Sequence, residues 1–317
     1  MKALSLDMGG THVGCAVVED RKLIGSTTIS TEQAQSLASV LPLIADALHT
    51  LLRSNTIRSE ECAGLAIGYP GIVDSRTGTI LSTLKEYEDA PHLDLTAWSS
   101  VTFGLPLRIE NDARMALLGE HYAGAARGSQ NIVMITLGTG IGGAAMMHGK
   151  LLRGVHSQAG CLGGHIPVNY KGRACSCGNI GCAEAEAAGW SLPLVARDWP
   201  GYSSSLLATS TALDFRKLFS TAVTNDPVAL ALRRHCIEVW SANVVAGIHA
   251  YDPEIVVIGG GVIKSANLIL PAIQQHVNRH AWTPWGHPQI HAALLGDAAA
   301  FLGAIPLLSE NTLAAVN

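Results

Sequence analysis

Three cysteines stand close together in the middle of the chain, at Cys175, Cys177 and Cys182, in the segment CSCGNIGC. Thiols at this spacing are typical ligands of tetrahedral zinc, and the intervening glycines allow the tight turns that bring them together. His165, which precedes them, would supply the fourth ligand. Four protein ligands leave no open coordination position, so the pattern predicts a structural zinc site. A loop of free cysteines is the alternative.

Two other segments share a pattern in which an apolar run enters a Gly/Thr turn and leaves as a second apolar run. Ala3–Val18 reads ALSLDMGGTHVGCAVV, and Ile132–Met147 reads IVMITLGTGIGGAAMM. Each predicts a β-hairpin, whereas a P-loop or dinucleotide motif continues from its glycines into a helix. Glycine lets backbone N–H groups approach an anion, so two such hairpins facing each other would hold a nucleotide's phosphates. This pattern favours an ATP-dependent phosphotransferase of the two-lobed, actin-like kind.

The residues predicted to bind ATP follow from these turns and from a third run of glycines. Asp7 ends the first strand, where a carboxylate would hold Mg²⁺ directly or through water; capping of the turn is the alternative. The third run of glycines, Gly259–Gly261, follows a predicted buried strand and would let an adenosine approach the backbone. The alternative is a plain turn at the end of that strand. The set comprises Asp7, Gly9, Gly10, Thr11, Gly138, Thr139, Gly140, Gly259, Gly260 and Gly261.

Glu110, Asn111 and Asp112 lie where a predicted short strand passes into a helix. Transfer of a phosphoryl group to an alcohol needs a carboxylate that accepts the hydroxyl proton. Asp112 is the candidate for this base. The alternative for the same side chain is a helix N-cap, which is a common role for an acid at such a junction.

Composition excludes several classes of protein. The chain has 317 residues, of which 48% are hydrophobic, and its net charge is −4. Two domains with sizeable cores are therefore expected, and nucleic acid and membrane are not expected as partners. The first residues, MKALSLDMGG, already form a strand without a signal-peptide region, and no apolar segment approaches the length of a membrane span. We expect a cytoplasmic protein.

Apolar periodicity predicts the elements that position these residues. Helices are expected at Glu32–Leu52, from Asp112 to about Ala125, from Asp226 to about Tyr251 and at Gly296–Leu308. We place a small lobe at residues 1–118 and a large lobe, with the zinc loop 165–184, at residues 119–296. The C-terminal helix, about 297–317, is free to pack back onto the first lobe.

Together these motifs resemble the ROK family of bacterial sugar kinases and sugar-sensing repressors over nearly the whole chain. The matching segments are DMGGT at 7–11, GYPG at 68–71, END at 110–112, LGTGIGG at 137–143, His165 with CSCGNIGCAE at 175–184, DPEIVVIGGG at 252–261 and the ending GDAAAFLGA.

The resemblance implies an α/β, two-lobed actin-like ATPase fold (ribonuclease H-like) with a zinc-binding loop, sugar binding in the cleft, and a homodimer or higher oligomer. It also implies Mg-ATP and structural zinc as cofactors. By this resemblance, Asp112 is the base. The sugar ligands are Gly71, Asn111, Asp112, His165 and Glu184. The zinc ligands are His165, Cys175, Cys177 and Cys182.

Two segments depart from the family pattern. Family kinases usually have AGE-x-GH before the zinc loop, with a glutamate that binds sugar hydroxyls, but here residues 159–165 read AGCLGGH. Neither Cys161 nor Leu162 accepts hydrogen bonds as a carboxylate does. Some acetylmannosamine kinases of the family also lack this glutamate. The segment Thr83–Leu95 replaces the asparagine-rich stretch of many sugar-binding members.

We therefore expect an ATP-dependent kinase that phosphorylates a hydroxyl, with the 6-hydroxyl favoured, of a hexose or an N-acylhexosamine. The alternative is a catalytically weak or inactive sugar-binding sensor of the same family. A DNA-binding repressor is disfavoured because the chain begins at the first ATP-binding strand. An NAD-dependent enzyme is disfavoured because Gly259–Gly261 lacks the GxGxxG turn into a helix and the acidic residue that follows it.

Overall fold

The structure is a computed structural model that describes residues 1–32, 34, 36–82, 87–210 and 212–314, with side chains described up to residue 310. Parts of three predicted segments lie outside the described residues: positions 33 and 35 of the first helix, positions 83–86 of the segment that replaces the asparagine-rich stretch, and the last three positions of the C-terminal helix.

The chain divides into two compact units. The first consists of Met1–Gly128, Leu151–Cys161 and Leu294–Asn317, and the second of Ser129–Lys150 and Leu162–Ala293. The predicted lobe boundary near residue 118 falls inside a continuous helix of the first unit.

A five-stranded sheet forms the centre of the first unit, in the order β3-β2-β1-β4-β7. Strands β1, β2 and β3 are antiparallel neighbours, whereas β4 and β7 run parallel to β1. The antiparallel β1–β2 pair confirms the first predicted hairpin. The strands of this unit are β1 (Lys2–Met8), β2 (His12–Glu19), β3 (Lys22–Ser30), β4 (Cys62–Tyr69), β5 (Val73–Asp74), β6 (Thr79–Ile80) and β7 (Leu107–Asn111).

The second unit repeats this topology with the order β10-β9-β8-β11-β12. The second predicted hairpin is confirmed, because β8 and β9 pair antiparallel, and β11 and β12 again continue the sheet in parallel. The strands are β8 (Ile132–Leu137), β9 (Ile141–Met147), β10 (Lys150–Leu151), β11 (Ile255–Gly259) and β12 (Gln289–Ala292).

Helices cover the two sheets. Those of the first unit are α1 (Leu37–Ser54), α2 (Leu95–Phe103), α3 (Asp112–Ala123), α9 (Ala298–Leu302) and α10 (Ala304–Ala314), and those of the second are α4 (Ala183–Ala187), α5 (Leu192–Arg197), α6 (Phe215–Val223), α7 (Pro227–Tyr251) and α8 (Ala266–His280).

The first helix begins later than predicted because Ser36 is its N-cap, with a hydroxyl that accepts a hydrogen bond from the backbone N–H of Ser39 at 3.2 Å. By length and composition alone, α1 is the one helix in the described part of the chain that is long and apolar enough to cross a membrane. No segment of this kind is predicted from the sequence. Its buried residues recur at helical spacing and pack into the core of the first unit, which accounts for this composition.

The predicted C-terminal helix is two helices, α9 and α10, separated at Gly303. This glycine lies against the backbone of Met115 in α3, where a Cβ atom would collide with the carbonyl oxygen. Gly119 of α3 likewise leaves no room for a Cβ atom beside Ala299. The close approach of α3 and α9 therefore depends on glycine at both positions.

Candidate functional site

Three parallel strands of the first unit end at the same edge of its sheet. The register pairs Asp7 with Gly68 and Tyr69 with Asn111. The ends of β1, β4 and β7 therefore bring Asp7, the turn after β4 and the start of α3 together at one edge. In open α/β sheets this carboxyl edge is where ligands bind.

The turn between β1 and β2 is held by hydrogen bonds to its backbone. The N–H of Gly9 donates to the carbonyl of His12 at 2.9 Å, and the hydroxyl of Tyr87 donates to the carbonyl of Gly9 at 2.7 Å. Thr31 donates to the carbonyl of Gly10 at 3.2 Å. The side chain of Thr11 at the tip is exposed to solvent.

Three aspartates of the first unit interact electrostatically at this edge. Burial, together with the negative charges of Asp112 and Asp297, raises the pKa of Asp7 to about 7. Asp297 immediately precedes α9. Such a set favours either protons or a cation, because like charges in a poorly solvated place repel one another. Asp297 lies within the segment GDAAAFLGA, where the sequence pattern predicts no role for it.

Asp112 is not the N-cap of α3, because Asn111 takes that role. The side-chain oxygen of Asn111 accepts from the N–H of Arg114 at 3.2 Å, and its amide donates to the carbonyl of Gly71 at 3.1 Å. Asp112 is the first residue of the helix, and its Oδ1 accepts from the N–H of Ala113 at 2.8 Å and from Asn111 at 2.9 Å. Burial raises the pKa of Asp112 to about 6 against these hydrogen bonds.

Below this junction lies an ion-pair network that the sequence did not indicate and in which only Arg153 is partly exposed. One Glu110 oxygen accepts from Arg114 Nη1 at 3.2 Å, and the other from Arg153 Nε at 2.6 Å and from the Ser75 hydroxyl at 2.8 Å. Glu110 and Arg114 are both 0% exposed. Two guanidinium groups therefore compensate one buried carboxylate, directly beside Asn111.

Arg114 also holds the segment in which the family glutamate is missing. Its Nη2 atom donates to the carbonyl of Leu152 at 3.0 Å and to that of Ala159 at 2.6 Å. Cys161 is buried with its thiol 3.4 Å from the carbonyl of Gln158, and burial raises its pKa. The Cys161 side chain is therefore a packed thiol that faces the backbone of its own loop.

A cavity of about 580 Å³ lies in the first unit and begins at Ile72, the residue after Gly71. Its wall combines polar and charged side chains with a few apolar ones. The lining residues are Ile72, Asp74, Arg76, Leu81, Ser82, Val155, His156, Ser157 and Gln158.

The two glycine turns of the second unit lie beside each other. Strands β8 and β11 are parallel, with Thr136 paired to Gly259, so both turns follow the same edge of the sheet. Gly260 has a φ of 83°, and a Cβ atom there would collide with the carbonyl of Leu137. No atom lies within 4 Å of the position that a Cβ atom would take at Gly138 or Gly261, so there is open space beside both residues. The N–H of Gly138 itself donates to the carbonyl of Gly140 at 3.0 Å, and its carbonyl accepts from the N–H of Gly189 at 2.9 Å.

Glu184 lies against the turn of the second hairpin. Its Oε2 atom accepts from the N–H of Ile141 at 2.9 Å, and its Oε1 atom accepts from the indole of Trp190 at 3.3 Å. The N–H of Trp190 donates to the carbonyl of Thr139 at 3.0 Å. Trp190 could not be predicted from the sequence, because it belongs to no recognisable motif.

The four predicted metal ligands converge. One ligand atom from each of His165, Cys175, Cys177 and Cys182 lies within 4.8 Å of all the others. The His165 Nδ1 to Cys175 Sγ distance is 3.5 Å, and the Cys177 to Cys182 Sγ–Sγ distance is 3.7 Å. Zn–S bonds of about 2.3 Å and Zn–N bonds of about 2.0 Å place tetrahedral ligand atoms roughly 3.5–3.8 Å apart. These residues therefore fit a zinc ion.

The glycines of this loop shape the site. Gly178 and Gly181 have φ values of 89° and 68°, and a Cβ atom at Gly181 would collide with the carbonyl of Asn169. Helix α4 starts directly after Cys182, so the metal loop and Glu184 belong to one local structure.

The chain is similar to proteins of one family. The family model described as the ROK family matches residues 3–311. A glucokinase of Thermotoga maritima is 32% identical over 317 residues, which cover 98% of this chain and 98% of that protein. An N-acetylmannosamine kinase of Pasteurella multocida is 29% identical over 306 residues, covering 96% of this chain and 95% of that protein.

Among solved structures, a ROK family glucokinase from Streptomyces griseus in complex with glucose and AMPPNP superimposes with a TM-score of 0.81 and 28% identity. The match covers 97% of this chain and 99% of that one. The predicted α/β actin-like ATPase fold is confirmed, as is the prediction of an ATP-dependent sugar kinase.

Proposed function

We propose that this chain, which belongs to the ROK family, transfers the γ-phosphoryl group of ATP to the 6-hydroxyl of a hexose or an N-acylhexosamine. The activity of the glucokinase and the N-acetylmannosamine kinase relatives supports this range of acceptors. The observation that carries the proposal is the position of Asp112, a carboxylate of raised pKa at the carboxyl edge of the first sheet.

Asp112 acts as the general base in this proposal. With a pKa of about 6 it is largely ionised near neutral pH and still basic enough to accept the proton of a sugar hydroxyl. Asn111 fixes the Asp112 carboxylate by donating to it at 2.9 Å, and the same amide holds the carbonyl of Gly71. Gly71 and Asn111 thereby form the proposed sugar-facing surface of the first unit.

Asp7, Gly9, Gly10 and Thr11 are proposed to face the phosphates of ATP. When bound, Mg²⁺ neutralises phosphate charge. The residues of the first unit fit a cation there, because burial, together with the negative charges of two other carboxylates, raises the pKa of Asp7. The exposed hydroxyl of Thr11, which lies 2.9 Å from Nδ1 of His12, is proposed to contact a phosphate oxygen.

In the second unit, the turns Gly138–Gly140 and Gly259–Gly261 are proposed to contact the nucleotide. The open space beside Gly138 and Gly261 supports this assignment. Glu184 and His165 are proposed as sugar ligands. The Glu184 carboxylate is already oriented by Ile141 and Trp190, so it needs little ordering on binding.

Zinc is proposed as a structural ion held by His165, Cys175, Cys177 and Cys182. A complete set of four protein ligands supports a structural role, because a catalytic zinc keeps one position open. A homodimer, a cytoplasmic location and the absence of nucleic-acid and membrane partners remain predictions from the sequence.

The choice of sugar depends on what replaces the hydrogen bonds that the family glutamate makes to sugar hydroxyls. The loop that ends at Cys161 is held by Arg114, and the cavity that begins at Ile72 leaves space near Gly71 for a substituent of the sugar. A hydrogen bond from a substrate to a charged group is worth about 1.5–3 kcal/mol. We therefore expect weaker binding of plain glucose than a site with the glutamate would show.

The test is ADP release with Mg-ATP across free hexoses, ketoses and N-acetylhexosamines, including N-acetylmannosamine. Turnover with one of these sugars, with the phosphate located on the 6-hydroxyl by NMR, is the expected result. Calorimetric sugar binding without turnover would instead identify a sensor. Phosphorylation at the anomeric hydroxyl would contradict the assignment of the acceptor.

A further inference from the structure

Helices α7 and α8 of the second unit enclose a groove of about 460 Å³ that the proposed kinase site does not use. None of its lining residues belongs to the proposed nucleotide, sugar or zinc sets. We propose that this groove is a binding site for a small organic phosphate, such as a hexose phosphate.

Positive charge dominates the groove. Helix α7 contributes Arg233 and Arg234, and helix α8 contributes Arg279. Across the described part of the chain, no carboxylate forms an ion pair with any of these three arginines. Like charges that lie close together and form no ion pair repel one another, so an anion that enters the groove gains from all three.

Two histidines add to this environment. The rings of His276 and His280 lie 4.3 Å apart, and both residues line the groove. Glu238 is the one carboxylate in the lining. Burial and the neighbouring His280 lower the pKa of His276, so this ring adds a hydrogen-bonding group rather than a fixed charge. The three arginines therefore face a single negative charge.

The ends of helices explain only part of this cluster. Basic residues are common in the last turn of a helix, where they interact with the free carbonyl groups, and Arg279 and His280 occupy that position in α8. Arg233 and Arg234 lie well inside α7, where the helix dipole gives a cation no advantage. Their presence opposite Arg279 needs another reason.

The shape and the lining select the class of ligand. Arginine binds phosphate oxygens with two parallel hydrogen bonds, which favours phosphate over a simple carboxylate. The volume lies within the range of small-molecule sites, about 300–1,000 Å³. Leu230, Ile237 and Leu268 add apolar surface to the wall, and this surface suits the carbon skeleton of an organic phosphate.

The proposal is tested by isothermal titration calorimetry of the full chain at low ionic strength, with glucose 6-phosphate and with inorganic phosphate. The double variant Arg233→Gln/Arg279→Gln removes two of the cations. Arg216→Gln is the matched control, because Arg216 is an exposed arginine on α6 of the same unit and does not line the groove. Each titration is repeated with a saturating non-hydrolysable ATP analogue.

We expect the sugar phosphate to bind the unchanged chain and the control equally, and the double variant at least tenfold more weakly. Binding should persist with the ATP analogue present, and the sugar phosphate should bind more tightly than inorganic phosphate. Equal affinity for the double variant and the unchanged chain would assign the binding to another site and overturn the proposal. Complete competition by the ATP analogue, or no binding at all, would also overturn it.

Discussion

Glu184 accepts a hydrogen bond from the backbone N–H of Ile141 at 2.9 Å, and this bond joins the metal loop to the turn of the second hairpin. Glu184 lies in the helix that starts directly after Cys182, one of the four proposed zinc ligands. The conformation of the metal loop therefore determines where the Glu184 carboxylate meets the hairpin. Loss of the metal is expected to affect the neighbouring nucleotide turn as well as the loop.

Removal of zinc should lower both stability and activity. A structural zinc ion contributes its binding free energy to folding, so treatment with a chelator is expected to lower the Tm by at least about 5 °C and to raise the KM for ATP. Differential scanning fluorimetry and metal analysis measure these effects. The control is Cys177→Ser, which should contain no zinc and should not respond further to chelator. Full-strength activity in zinc-free protein would contradict the structural role.

Arg114→Met should destabilise the first unit strongly. The substitution leaves the buried Glu110 with one guanidinium partner fewer and removes the donors to Leu152 and Ala159, a change that costs about 3–5 kcal/mol. Urea denaturation measures the loss. Arg53→Met, a change at the exposed Arg53 of α1, is the control and should stay within about 0.5 kcal/mol. A loss below about 1 kcal/mol for Arg114→Met would show that the network is unimportant.

Stability should fall as pH rises because of Asp7. Its pKa in the folded chain, about 7, is raised above its value of 3.8 in the unfolded chain. The folded state thus holds this proton more tightly, and the stabilisation is complete below pH 4 and is lost as pH rises through about 7. The loss amounts to roughly 2–4 kcal/mol.

Asp7→Asn tests this effect. The variant removes the ionisable group and should raise the Tm at pH 8 relative to the unchanged chain, while the difference becomes small or reverses at pH 4. Addition of Mg²⁺ should reduce the gap at pH 8 by neutralising Asp7. An equal Tm difference at both pH values would be inconsistent with the raised pKa. The same variant should turn over ATP poorly, because the proposed Mg-ATP contact is lost.

The rate of turnover should fall in acid because Asp112 must be ionised to accept a proton. With a pKa of about 6 in the chain without substrate, kcat/KM for the sugar is expected to decrease about tenfold per unit below pH 6 and to level off above pH 7. Initial rates at low sugar concentration between pH 5 and 8 measure the profile. A kcat/KM that does not change across this range would mean that no group of this pKa takes part in the chemical step.

The parts of the fold that the sequence predicted are those that depend on neighbouring residues. The two hairpins and the helix from Pro227 to Tyr251 follow from local periodicity, turn glycines and the cap at Asp226, which accepts from the N–H of Ala229 at 2.9 Å. The four residues that converge as candidate metal ligands could be named because three of them lie within one short loop.

The parts that the sequence could not predict depend on long-range contacts. Glu110 and Arg114 are only four residues apart in the sequence. The contact of Glu110 with Arg153 joins segments that are 43 residues apart, and no local sequence pattern indicates it. These contacts also help to explain why Leu151–Cys161 belongs to the first unit. The division of the C-terminal helix at Gly303 likewise reflects its packing against Met115.

The most direct test of the proposed chemistry is turnover by Asp112→Asn, compared with the unchanged chain and the sugar that it prefers. Asparagine keeps the size of the side chain but cannot accept the hydroxyl proton, so kcat should fall about 10²–10⁴-fold. Sugar binding measured by calorimetry should change little, and Tm and zinc content should show that the variant is folded. A kcat close to that of the unchanged chain would contradict the role of Asp112 as the base.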